Sequence, residues 1–123
     1  MDLKRERNLA KQLGSAIAAK RESFGLTQEQ VAEHFGVGIQ AISRIERGAV
    51  MPTITRLYEF ADMFKCGVDE FLLKASDRGE DQEISLGREL ASLQPKDRDF
   101  VSSLVHSVAD HLRSKVGERI AKR

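Results

Sequence analysis

Glycines at positions 25, 36, 38 and 48 cut an apolar pattern that otherwise runs at helical spacing from Leu9 to Leu72. The pieces between them are short, and isolated helices below about 12–15 residues are marginal in water. Such a chain folds only by packing several short helices against one another. Leu9, Leu13 and Ile17 recur every four positions and predict a first helix from about Asn8 to Ser23, stopped at Gly25 between Phe24 and Leu26. Thr27 opens a second helix, with Gln30 three residues on completing a capping box. Its inner face is Val31, Ala32 and Phe35, and Gly36 ends it in the left-handed conformation that suits glycine. A third helix starts after Gly38, buries Ile42 and Ile45, and stops at Gly48. Pro52 stands at the start of a fourth, with Ile54, Leu57, Phe60, Ala61 and Phe64 inward. A last short helix carries Val68, Phe71 and Leu72.

The rest of the chain reads differently. Residues 75–83 have no apolar periodicity and several breakers, which predicts a linker between a domain at 1–74 and a segment at 84–123. In that segment Ile84, Leu86, Leu90 and Leu93 predict a short helix. Pro95 suits the first turn of a final one, where Phe100, Leu104, Val108 and Leu112 repeat at i+4 beside Val101 and Val105. The fold class is therefore all-α, five helices followed by a short C-terminal helical segment. No apolar run approaches the roughly 18–20 residues that cross a bilayer. The N-terminus lacks the apolar stretch of a secretory signal. Cys66 is the one thiol, so no disulfide forms within a chain, and a reducing cytoplasm is the expected setting.

The formal net charge is +1, but it is unevenly spread. Residues 1–21 hold six basic residues against two acidic ones, and residues 59–83 hold eight acidic against three basic. Separated poles can present a cationic face to phosphates; ordinary solvated helix faces are the plainer reading.

Residues 28–47 carry the functional signal. Two short helices joined by Gly36-Val37-Gly38 make a helix-turn-helix, whose second helix is shaped to enter the major groove of DNA. Ala32 is small where the backbones approach, and Val37 fills the space between the helices. Ile39, Gln40, Ser43, Arg44 and Arg47 are left outward. Gln can bond adenine, Arg guanine or phosphate, Ser either, and Ile can touch a thymine methyl.

The run from Leu13 to Leu72 resembles the helix-turn-helix domain of Cro and phage repressors, the XRE family of bacterial and phage regulators. The matching residues are Leu-Gly-Ser-Ala-Ile (13–17), Arg21, Gly25-Leu-Thr-Gln-Glu-Gln-Val-Ala (25–32) and Phe35-Gly-Val (35–37). They continue through Ala41-Ile-Ser-Arg-Ile-Glu-Arg-Gly (41–48), Pro52-Thr (52–53), Leu57, Ala61 and Asp69-Glu-Phe-Leu (69–72). The resemblance implies that Gln28 contacts phosphate and steadies a base-reading neighbour, and that Ile39, Gln40, Ser43 and Arg44 occupy recognition positions. Ile39 stands where the family often has a polar residue, leaving apolar readout and packing both open. Gly38 replaces the usual Ser or Thr cap. Arg47, Thr53 and the amides after Pro52 match phosphate clamps, with Arg56 a lesser candidate. Arg21 and Glu46 match a pair that joins helices one and three and orients the recognition helix. Lys20 replaces an apolar residue, so its stem can lie along the core while its ammonium reaches outward, within range of the DNA backbone.

Other chemistry finds no support. His34, His106, His111 and Cys66 lack a metal-ligand spacing, and no cofactor is implied. Cys66 stands where the family has an apolar residue and reads as a small buried hydrophobe. There is no phosphate-cradling glycine loop and no nucleophile with an identifiable base, so an enzyme is not expected. One helix-turn-helix reads few base pairs, and dimers solve this by reading two half-sites. Leu90, Leu93, Phe100, Leu104, Val108 and Leu112 are the candidate dimer-forming residues; packing back on the N-terminal domain is the alternative. The basic end, Arg113, Lys115, Arg119, Lys122 and Arg123, is a solvated tail or a further phosphate contact. The expected function is a homodimeric repressor reading a pseudo-palindromic operator in double-stranded DNA. The competing reading is an antitoxin-like or adaptor protein whose C-terminal helices bind a protein partner.

Overall fold

The computed structural model describes residues 1–121, which form seven helices and no strand. The first, α1 (Leu3–Ser23), begins ahead of Asn8, because the Asp2 carboxylate accepts a hydrogen bond from the Arg5 amide at 2.7 Å and caps it. The added turn is Lys-Arg-Glu-Arg, which has no apolar period to betray it. α2 (Gln28–Phe35) carries both halves of the capping box: the Gln30 amide donates to Thr27 Oγ1 at 3.1 Å, and the Thr27 amide to Gln30 Oε1 at 2.8 Å. Gly36 ends it at φ +68°. α3 (Ile39–Glu46) follows Gly38, and Arg47 and Gly48 close it. α4 (Ile54–Met63) is capped by Thr53, so Pro52 lies just outside the helix and is buried there. α5 (Val68–Ala75), α6 (Gly79–Ala91) and α7 (Pro95–Ala121) complete the chain.

Residues 1–85 form one compact unit and residues from 86 onward a second. The first has a single core of Leu13, Ile17, Val31, Ile42, Leu57, Phe60, Phe64 and Phe71, with smaller residues between. α1 packs most extensively on α5 and also against α3, and α2 packs on α3. Two expected core residues are outside it. Ile54 is 74% exposed, because it lies at the edge of the α4 stripe on the side of exposed Tyr58. Leu72 is 47% exposed, one residue round the helix from buried Phe71.

The expected linker is largely helical. Ala75 is buried as the last residue of α5, and Gly79 to Glu83 belong to α6. Ser76 Oγ accepts from the Arg78 amide at 3.1 Å and donates to the Asp81 carboxylate at 2.6 Å. Glu80 and Asp81 then sit in the first turn, where the helix dipole favours acids. Only residues 76–78 separate α5 from α6.

The charge poles are also not free faces. Arg5 donates to both oxygens of Asp77 at 2.9 Å, and Lys20 Nζ reaches Glu70 at 3.2 Å. The acidic region therefore neutralises part of the basic helix. Arg5 holds Asp77 below the usual carboxylate range through that hydrogen-bonded pair. Both side chains are about half exposed, so salt screens the pair and its contribution to stability is small.

In the second unit Pro95 occupies the first position of α7, as its missing N–H allows. The Arg98 guanidinium donates to the Leu90 and Leu93 carbonyls at 3.1 and 3.2 Å, closing the turn between α6 and α7. No residue of α7 is buried among those described.

Candidate nucleic-acid interface

α3 is sharply two-sided. Ile42 and Ile45 are buried, whereas Ile39, Gln40 and Arg44 are exposed and Ser43 is half-buried. The turn before it is fixed by the Val37 amide, which donates to the Ala32 carbonyl at 2.9 Å, and by half-buried Val37 packing on the core. Arg47 follows the helix, and its Nε donates to Ser43 Oγ at 3.3 Å, so these two candidates form one polar group. Arg44 has no ion-pair partner among the described residues. It lines, with Thr53 and Met51, a cleft of about 300 Å³ between α3 and the 49–53 loop. Thr53 Oγ1 accepts from the Arg56 amide at 3.1 Å and stays exposed, leaving its hydroxyl proton available to an anion at the positive end of α4. The structure thus brings Ile39, Gln40, Ser43, Arg44, Arg47 and Thr53 to one surface.

Arg21 and Glu46 form the expected pair, and it is larger than a pair. Arg21 Nε and Nη2 donate to the two Glu46 oxygens at 2.7 and 3.0 Å, and Arg21 Nη1 donates to the Leu26 carbonyl at 2.6 Å. Gln28 Nε2 donates to the same Glu46 at 2.8 Å. The side chains of Arg21 and Glu46 are only 12% and 5% exposed. The Glu46 carboxylate raises the Arg21 guanidinium pKa against the opposing effect of burial. Gln28 is therefore first a member of this lock; one N–H and its carbonyl remain for another ligand. Arg56 is likewise engaged, lying 5.0 Å from the Phe35 ring centre and bonded to Glu59 at 2.9 Å. Lys20 turns to Glu70 rather than outward.

Two glycines outside the reading of the site set how deeply α3 sits. A Cβ on Gly14 would meet the Glu46 carbonyl oxygen at 2.6 Å and its carbon at 2.9 Å, with the Ile45 carbonyl oxygen closer still. A Cβ on Gly48, at φ +76°, would meet the Lys11 backbone at 2.6 Å. The backbone of α1 thus touches both the end of α3 and the residue that closes it. Gly14 lies in mid-helix, where glycine costs about 1 kcal/mol against alanine; that cost was the available signal.

The remaining candidates do not converge. No group of three His, Cys, Asp or Glu among the described residues is placed to hold a metal. Cys66 is half-buried, and burial, then the charge of Glu70, pushes its thiol above the ordinary range. Thiol reagents at neutral pH should therefore modify Cys66 slowly in the folded protein and rapidly in denaturant. A folded-state rate equal to the denatured rate would contradict this burial. Leu90 and Leu93 are half-buried at the α6–α7 turn, while Phe100, Leu104, Val108 and Leu112 are exposed. Arg113 pairs with Asp110, Lys115 and Arg119 are exposed, and Lys122 and Arg123 lie outside the described residues. No helix among the described residues is long and apolar enough to cross a membrane.

Comparison with known proteins is consistent with this geometry. The helix-turn-helix family profile matches residues 17–71. The cryptic phage CTXphi transcriptional repressor RstR of Vibrio cholerae serotype O1 is 27% identical over 94 residues, covering 75% of this chain and 82% of that protein. An uncharacterised HTH-type transcriptional regulator of Sinorhizobium fredii, y4dJ, is 43% identical over 54 residues, covering 44% of this chain and 70% of that protein.

Proposed function

The chain belongs to the XRE family of helix-turn-helix DNA-binding transcriptional regulators, and from that premise we propose that it is a homodimeric repressor reading a pseudo-palindromic operator through α3. The observation that carries this is the two-sided α3. Its apolar side is fixed in the core, while its outer side offers Gln40 and Arg44, the latter without an ion-pair partner among the described residues, both capable of bidentate base contacts. Arg47 and Thr53 flank them as phosphate contacts that set the register of the helix in the groove. Repression, rather than activation, draws support from the repressor named in Vibrio cholerae. An operator overlapping a promoter would be occupied at the expense of polymerase.

The test is titration of single-site variants against a duplex that the unaltered protein selects. Gln40→Ala and Arg44→Ala should each lower specific affinity by about 1–3 kcal/mol with folding retained. Arg47→Ala should weaken binding to all sequences alike and make the slope of log affinity against log salt shallower by about one. Folded Gln40 and Arg44 variants that bind as tightly as the parent would remove the outer face of α3 from the readout.

A further inference from the structure

We infer that α7 pairs with α7 of a second copy of the chain in the antiparallel sense, with the two-fold axis near Val108; this rests on the homodimer proposed above and adds its geometry. Phe100, Leu104, Val108, Leu112, Val116 and Ile120 are each more than half exposed, and no charged residue interrupts the row. Each step of the row turns about 40° around the helix, so Leu104, Val108 and Leu112 share one face and Phe100 and Val116 lie at its two edges.

The occupant is written into the pattern. Five of the six are symmetric about Val108: Leu104 and Leu112 are equally distant from it, as are Phe100 and Val116, while Ile120 lies beyond the symmetric part. A two-fold axis there sets Val108 on its own copy and Leu104 beside Leu112, the self-complementarity of an isologous interface. Charge then chooses the direction. Asp97 and Arg119 are equally distant from Val108, so antiparallel pairing places each beside its opposite in the partner. In-register parallel pairing would instead set Asp97 against Asp97 and Arg119 against Arg119. The helix dipoles also oppose when the helices run in opposite directions. An axis of this kind matches the two-fold symmetry of an inverted repeat.

Cysteine cross-linking of the full chain tests the direction. In a Cys66→Ser background, Leu104→Cys and Leu112→Cys would be placed on differently tagged chains, co-expressed and oxidised. The expected product is the mixed 104–112 disulfide, with little self-linked product from either variant alone. Self-linking at each position without the mixed product would overturn the antiparallel arrangement and leave the homodimer standing. A monomer by light scattering for the parent chain at tens of micromolar would overturn both. Charge exchange avoids disturbing the ridge: Asp97→Lys should raise the dimer dissociation constant roughly tenfold, and adding Arg119→Asp should restore it. Absence of rescue would contradict the pairing of these two ends.

Discussion

Gly14→Ala should destabilise the N-terminal unit by about 3 kcal/mol or more, at the upper end of what overpacking costs. The new methyl group has no rotamer to escape into, and the atoms it meets are the Ile45 and Glu46 carbonyl groups rather than flexible side chains. Relief requires α1 and α3 to move apart, opening the core between Leu13, Ile17, Ile42 and Ile45. The loss would appear as a fall in melting temperature of roughly 12 °C or more for a unit of this size. Gly87→Ala, a helical glycine of the second unit, is the control for the substitution itself, since its added Cβ meets nothing within 4 Å. There the better helix propensity of alanine should leave stability unchanged or raise it by up to about 1 kcal/mol. Equal melting of the Gly14 variant and the parent would contradict backbone contact between α1 and α3.

Removing Glu46 should have a comparable effect for a different reason. Glu46→Ala leaves the Arg21 guanidinium almost buried without its carboxylate and frees the Gln28 amide, a loss of about 3–5 kcal/mol. Arg21→Ala should cost a similar amount, because the carboxylate is then the stranded charge. The two losses should not add: the Arg21→Ala, Glu46→Ala double variant should lose clearly less than their sum, since no unpaired charge remains. Urea unfolding of the four proteins gives the coupling directly. Additive losses would mean that Arg21 and Glu46 act separately and that the lock does not exist as a unit. Glu46 sits at the end of α3, so on the proposed reading the same variants should bind DNA less tightly even where they remain folded.

Much of the first unit was readable because its signals are local. Thr27 with Gln30, and glycines at 36 and 48, each meet a backbone requirement that few other residues satisfy; the capping box and the left-handed turn at Gly36 form where expected, and the third helix closes at Gly48. Leu13, Ile17, Ile42 and Phe60 are core residues at helical spacing, and spacing places them correctly. What escaped depends on partners distant in sequence. The bond from Gln28 to Glu46 shows only once the fold brings those two residues together. The basic and acidic stretches look like opposite faces until Arg5 meets Asp77 and Lys20 meets Glu70. The start of α6 was hidden because polar capping by Ser76 and acids in the first turn, not an apolar stripe, form it. On α3 the outward residues could be named from the sequence, because a helix with Ile42 and Ile45 buried leaves only one face for Gln40 and Arg44. The seat of that helix on Gly14 and Gly48 left only a faint trace, the cost of a glycine in mid-helix at Gly14, since a glycine carries no side chain to announce its contact.

Selection from a randomised duplex pool, with sequencing of the bound fraction at two salt concentrations, tests the central claim most directly. The expected result is an inverted repeat with half-sites about 10–10.5 base pairs apart, centre to centre, enriched at both salts. Binding that is weak, steeply salt-dependent and without any recovered motif would contradict it, because phosphate attraction alone would then account for every contact with DNA.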